Sequence, residues 1–264
     1  MNALPLSDQA FDRYSRQIML PDWGEHAQSQ LTNAKVLVIG CGGLGTAASL
    51  YLAGAGIGQL ALADDDKVER SNLPRQIAYR DTDIGAGKAK ALATQLMAFN
   101  PLVTCRAVER RLSGKVLTLE VSLADIVLDC SDNMETRQAV NQACVASKTP
   151  LIAGAAIGWS GQLMVFDFAD NATPCYHCLF PETSDAPASN CQSAGVVGPV
   201  VGMMGNLQAL ETLKYITQSE KPLTRFYQFD GKSLSLRAMT IPSETACLVC
   251  QPQHQEVSRG NFVE

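Results

Sequence analysis

Short apolar runs alternate with longer stretches of helical period along the first half of the chain. Lys35-Val-Leu-Val-Ile-Gly40 is a buried strand running straight into a glycine cluster. The apolar stretch from Ala47 to Ala55 that follows has helical length and no proline, so strand, glycine turn and helix succeed one another. A second strand, Gln59-Leu-Ala-Leu-Ala63, ends at Asp64, Asp65 and Asp66. The spacing then predicts a helix over Lys88–Phe99, stopped at Asn100-Pro101. Ala124–Asp129 reads as a further buried strand with a polar tip, Cys130-Ser-Asp-Asn133. A helix over Met134–Ser147 and a strand near Pro150–Ala153 complete the alternation, which predicts an α/β fold with a Rossmann-like, mostly parallel, doubly wound sheet.

After residue 158 the pattern changes. Gln162–Phe168 alternates like an exposed-edge strand, and Phe226–Phe229 with Leu234–Ile241 predict antiparallel strands around Asp230-Gly231-Lys232. The expected architecture is one domain over 1–264. A nucleotide-binding half covers about 1–158, a second half with an antiparallel extension about 159–250, and a tail 251–264. Asp8 to Gln30 is spaced for short amphipathic helices, and a long loop, roughly Pro181 to Ser193, separates the halves.

Composition narrows the function. A net charge of −5 argues against general nucleic-acid binding, which needs a surplus of Lys and Arg. The charged N-terminus lacks the apolar core of a signal peptide, and no run of about 18 apolar residues suggests a membrane span. The expectation is a cytosolic protein, where paired cysteines point to metal before disulfide.

The chain has nine cysteines, and four of them form two C-x-x-C pairs, Cys175/Cys178 and Cys247/Cys250. Four thiolates suffice for a closed tetrahedral zinc site of four cysteines, tying two remote segments together; a redox pair is the alternative. Gly40-Cys41-Gly42-Gly43-Leu44-Gly45 matches G-x-G-x-x-G between a strand and a helix, the setting in which backbone N–H groups meet a phosphate. Asp64 lies at the end of the next strand, where an acid can bind ribose hydroxyls. The glycine motif alone does not separate NAD from ATP. Arg75, Lys88 and Asp132 tilt the reading, because attack on an α-phosphate needs cations on the phosphates and a carboxylate for Mg2+. Surface salt bridging is the plain alternative for any one of them. Cys191 stands in a polar loop, Ser189-Asn-Cys-Gln-Ser, either as a nucleophile or as an incidental thiol.

Taken together, Arg13-Tyr-Ser-Arg-Gln-Ile18, the glycine loop, Asp64-Asp-Asp66, Ser71-Asn-Leu-Pro-Arg-Gln76, Lys88, Asp129-Cys-Ser-Asp-Asn133, Gly195-Val-Val-Gly-Pro199 and the cysteine pairs resemble the ThiF/MoeB/HesA adenylyltransferases. The resemblance runs from about Arg13 to Cys250, and Leu62-Ala-Asp-Asp-Asp66, Asn190-Cys191 and Ala194–Gly202 resemble the ThiF branch within it. It implies ATP-dependent adenylylation of the C-terminal glycine carboxylate of a ubiquitin-like sulfur-carrier protein, for thiocarboxylate formation. The pathway expected first is thiamine thiazole synthesis (a ThiS-like carrier), with molybdopterin synthesis (a MoaD-like carrier) as the runner-up. It further implies a homodimer in which Arg16 reaches the neighbouring subunit's site. Gly43, Asp64, Asp66, Ser71, Asn72, Arg75, Lys88 and Asn133 would line the ATP site, and Asp132 would hold Mg2+. Cys175, Cys178, Cys247 and Cys250 would bind zinc, and Cys191 would form a covalent link to the carrier. Sulfur would come from a separate donor. Pro74 stands where the family commonly has glutamine. A nicotinamide-dependent oxidoreductase and a non-catalytic zinc-stapled scaffold are the rival readings.

Overall fold

The computed structural model describes residues 6–169, 173–181, 195–217, 224–241 and 247–251. Two helices open the chain, α1 (Asp8–Ile18) and α2 (Gly24–Asn33). The alternating part follows: β1 (Lys35–Ile39), α3 (Gly43–Ala55), β2 (Gln59–Ala63), α4 (Lys88–Phe99), β3 (Thr104–Val108), α5 (Gly114–Ser122), β4 (Ile126–Asp129), α6 (Met134–Ser147) and β5 (Leu151–Ile157). After these come β6 (Ser160–Phe166), a one-turn helix α7 (Tyr176–Leu179), a long helix α8 (Gly198–Thr217), β7 (Arg225–Asp230) and β8 (Ser235–Thr240).

The eight strands among the described residues form one sheet in the order β3-β2-β1-β4-β5-β6-β7-β8. Strands β1 to β5 are mutually parallel, and β5 through β8 pair antiparallel. The order reverses between β1 and β4, so the loops after these strands flank the switch point where ligands bind in open α/β sheets.

Alternation of side chains splits the core into two layers. Val36, Val38, Leu60, Leu62, Ile126, Leu128 and Ile152 face one side, against Leu52 of α3, Leu92 and Leu96 of α4 and Met204 of α8. Leu37, Ile39, Val127, Leu151 and Phe166 face the other, against Leu117 and Val121 of α5 and Val140 and Cys144 of α6.

The helices α4 and α6 occupy the residues that the sequence predicts. Their ends are local chemistry: the Asn133 carboxamide oxygen accepts from Thr136 N at 2.9 Å to cap α6, and Lys148 closes it with a left-handed φ of 54°. Four elements are unexpected from the sequence, namely β3, α5, α7 and α8. One expectation is corrected: the β6 segment is not an edge strand, because it pairs with both β5 and β7. Leu163 and Val165 enter one core layer and Met164 and Phe166 the other, so its alternation divides two buried faces.

The helix α8 lies close on α3 and on β6. A Cβ at Gly205 would sit 2.4 Å from the Leu44 carbonyl oxygen, and one at Gly161 would sit 2.3 Å from Met204 Sδ. The backbones approach as they do because glycine stands at each contact.

Candidate functional site

The glycine turn is shaped by contacts that allow no side chain. Gly40 has a φ of 94°, and a Cβ there would lie 2.7 Å from the Cys130 carbonyl oxygen. A Cβ at Gly45 would fall 1.9 Å from Gly40 O, and one at Gly43 would fall 2.3 Å from Val201 Cγ1. Gly42 differs: a Cβ there would meet only Gln76 Nε2, at 3.8 Å. Gly42 begins α3 without a side-chain cap, so the first N–H groups of the helix face outward at its positive end.

The turn is held from two directions. Asp64, at the end of β2, accepts from Cys41 N at 2.7 Å with Oδ2 and from Asp66 N at 2.8 Å with Oδ1. Burial raises the Asp64 pKa, while those two N–H groups and the Lys88 ammonium oppose the rise. The Tyr79 hydroxyl lies 2.7 Å from Cys41 O and 3.2 Å from Lys88 O. Burial pushes the Tyr79 pKa far up, so this hydroxyl is a permanent donor. Nothing in the periodicity of the chain marks Tyr79.

Lys88 opens α4, and its side chain is only 9% exposed. Its Nζ lies 2.8 Å from Asp66 Oδ2, and its N–H donates to Asp66 O at 2.9 Å. Ser71 and Asn72 lie in a single 3-10 turn, and Arg75 follows it, donating from Nη1 to Ser71 O at 3.0 Å. Asn72 is buried, its Oδ1 accepting from Glu69 N at 3.1 Å. Asp132 is exposed beyond the end of β4 and, among the described residues, takes part in no ion pair. The tip below it is rigid: Asp129 Oδ1 accepts from Ser131 N at 2.9 Å and Ser131 Oγ at 2.6 Å, and Arg137 donates to the carbonyls of Ser131 and Gly154. The structure thus sets the glycine turn, Asp64, Asp66, Lys88 and Asp132 on the loops and helix starts at the carboxyl edge of the parallel strands, with Ser71, Asn72 and Arg75 on the segment between β2 and α4. Asn133 belongs to the same edge, but its oxygen is engaged as the α6 cap and by Arg111 Nη2 at 3.1 Å.

Arg16 is not in this group. Tyr14 packs on Gly56, and Gln17 donates to Ala55 O at 3.0 Å, so α1 is fastened to the end of α3 remote from the glycine turn. A helix of 13 residues puts those ends about 20 Å apart.

The paired cysteines converge. Cys175 Sγ lies 3.8 Å from Cys247 Sγ and 4.0 Å from Cys178 Sγ, and Cys178 Sγ lies 3.5 Å from Cys250 Sγ. All four sulfurs fall within 4.8 Å of one another. Zinc held tetrahedrally by bonds of about 2.3 Å needs sulfurs about 3.8 Å apart, so this donor set fits the ion. The buried Asn141 of α6 donates to Cys175 Sγ at 3.4 Å and accepts from Tyr176 N at 2.9 Å, an outer contact that no sequence pattern announces. Of the other thiols, Cys41, Cys130 and Cys144 are buried and pushed well up by burial, and Cys105 is pushed up to about 11. None of these four presents a ready thiolate. Cys191 lies outside the described residues. Among the described residues no helix is long and apolar enough to cross a membrane.

The fold puts the molecule among the Rossmann-like α/β proteins with a glycine turn at the switch point of the sheet. A model of the ThiF family matches residues 14–249, and the chain belongs to that family. It is 48% identical over 250 residues to the sulfur carrier protein ThiS adenylyltransferase of Escherichia coli K12, covering 93% of this chain and 97% of that protein. It is 41% identical over 249 residues to the molybdopterin-synthase adenylyltransferase of Salmonella typhimurium, covering 93% and 98%. Among solved structures, Escherichia coli MccB with ATP matches with a TM-score of 0.75 at 24% identity, over 90% of this chain and 73% of that one, which speaks for the fold alone.

Proposed function

We propose that this protein uses ATP to adenylylate the C-terminal glycine carboxylate of a ubiquitin-like sulfur-carrier protein. One relative is named for the sulfur carrier protein ThiS and the other for molybdopterin synthase, and the higher identity to the first favours a ThiS-like carrier and thiamine thiazole synthesis over a MoaD-like carrier. The observation that carries the reading is the buried Lys88, held 2.8 Å from Asp66 at the edge where the glycine turn presents its N–H groups. A buried ammonium with one carboxylate partner is ready to exchange that partner for phosphate oxygens.

The carrier's carboxylate is already ionised at neutral pH and needs no general base. The obstacle is charge, because an anion must approach the α-phosphate. In this mechanism the N–H groups at the start of α3 cradle the phosphates, Asp64 takes the ribose hydroxyls, and Lys88 with Arg75 offsets the charge of the attack. The carboxylate oxygen bonds to the α-phosphorus as the bond to the bridging oxygen breaks, giving acyl-adenylate and pyrophosphate. Asp132 would hold Mg2+, which supplies further charge neutralisation on the phosphates. The remote docking of α1 supports a homodimer in which Arg16 serves the neighbouring subunit's site, since its own lies at the other end of α3. We further propose that the four cysteines hold a structural zinc, that Cys191 links covalently to the carrier during sulfur transfer, and that the sulfur comes from a separate donor.

The test is carrier-dependent ATP–pyrophosphate exchange. Lys88→Ala and Asp132→Ala are each expected to slow it by about a hundredfold or more. Exchange at the wild-type rate in either variant removes the assigned role, and absence of exchange in the wild-type protein with every carrier removes the function.

A further inference from the structure

Gln208 sits on α8 in the middle of the molecule and is fully buried. Its Nε2 donates to Asp129 O at 3.0 Å and to Ile152 O at 3.1 Å, and its Oε1 accepts from the Cys130 thiol at 3.4 Å. The amide therefore has both N–H groups and its oxygen committed. The two carbonyls it satisfies belong to adjacent parallel strands, β4 and β5. Neither the length nor the polarity of the side chain is incidental, because the sheet makes room for it. A Cβ at Gly154 would lie 2.4 Å from Gln208 Oε1 and 2.5 Å from its Cδ.

Just beyond Asp129 the chain leaves the ladder, and Cys130 N donates back to Ile39 O at 2.8 Å. Gly40, in turn, has no room for a Cβ against Cys130 O. The first residues of the β4 tip thus lie directly against the first residue of the glycine turn, and Gln208 holds both Asp129 and Cys130 from the other side. Two residues further on stands Asp132.

We propose that Gln208 is a positioning residue: from α8 it fixes the β4 tip, and through it the Asp132 carboxylate, relative to the glycine turn. This rests on the reading of Asp132 as a nucleotide-site residue. A tip displaced by a fraction of an ångström leaves Asp132 present but misplaced, a fault that shows in turnover rather than in carrier binding.

The experiment is a double-mutant cycle on pyrophosphate exchange. Gln208→Met keeps the shape of the side chain and removes its donors. It is expected to lower kcat about tenfold and to leave the KM for the carrier within twofold. In an Asp132→Asn background, expected to keep a measurable residual rate, the same change is expected to cost less than twofold, because the group it positions is already impaired. Gly154→Ala keeps the amide but forces it aside and is expected to behave like Gln208→Met, so it serves if the latter does not fold. A kcat within twofold of wild type for both variants overturns the inference. So do losses that multiply in the Asp132→Asn background, which is the signature of general destabilisation. Full exchange in Asp132→Asn alone would sink the underlying reading of Asp132 as well, and is distinguishable because it appears before Gln208 is changed.

Discussion

Gly42→Ala separates what the protein needs from what its ligand needs. At Gly45 an added Cβ would come within 1.9 Å of Gly40 O, and at Gly43 within 2.3 Å of Val201 Cγ1, so packing accounts for glycine at both. At Gly42 the nearest atom is Gln76 Nε2 at 3.8 Å, an ordinary van der Waals contact, and the backbone is extended at φ −78° and ψ −152°. Alanine there is expected to change folding stability by less than about 1 kcal/mol, a Tm shift of at most about 4 °C. The new methyl nevertheless stands beside the N–H groups proposed to receive phosphate. ATP affinity is expected to fall at least about tenfold, equivalent to about 1.4 kcal/mol. Calorimetric titration with ATP alongside thermal unfolding reads both quantities on one sample. Gly45→Ala is the control, expected to lose about 1–3 kcal/mol of stability or more from overpacking. A Gly42→Ala protein that binds ATP within twofold of wild type would refute the placement of phosphate at this turn.

Purified protein is expected to carry about one zinc per chain by elemental analysis. Cys247→Ser should lose the metal and on the order of 4 kcal/mol of stability; zinc-free protein with an unchanged Tm in chelator would end the staple argument. Burial raises the Asp64 pKa, so protonation begins at a higher pH than for a solvent-exposed aspartate. The sign follows: the folded state favours the protonated acid, so the stability linked to this group is greatest in acid and declines as pH rises through its folded-state value. The proposed binding runs the other way, because ribose hydroxyls would donate to the ionised carboxylate. ATP affinity is expected to weaken on acidification in the wild-type protein and to be flatter with pH in Asp64→Asn, and parallel pH profiles of the two would contradict the assignment.

Much of the parallel half was legible because its signals are local. The glycine spacing of Gly40–Gly45, the break at Asn100-Pro101 and the helix start after Asn133 are each written in adjacent residues, although the finished shape of the glycine turn also depends on Cys130 and Val201. The paired cysteines were legible for a different reason, since two C-x-x-C pairs at matched spacing are a metal-ligand pattern in themselves. What escaped depends on distant partners. The α8 helix begins Gly198-Pro-Val-Val-Gly202, where glycine and proline hide the helical period, yet Gly198 and Gly205 are small because Pro74 O and Leu44 O lie against them. The short α5 has apolar residues on two sides, Leu117 and Val121 inward and Val116 and Leu119 outward, which blurs its period. Gln208 carries no sequence signal because both its carbonyl partners come from other strands.

The contact between α8 and the glycine turn also bears on the order in which the chain can fold. Gly43 is walled by Val201, and Leu44 by Gly205, residues synthesised long after β1, α3 and even β5 have left the ribosome. The strand–turn–helix unit can form from local contacts early, but its final geometry is completed only when α8 packs on it, at the cost of closing a long loop. A nascent or truncated chain ending before α8 would display the glycine motif without its finished shape. Binding of the nucleotide proposed for this turn would then report the docking of α8, not the formation of the segment that carries the motif.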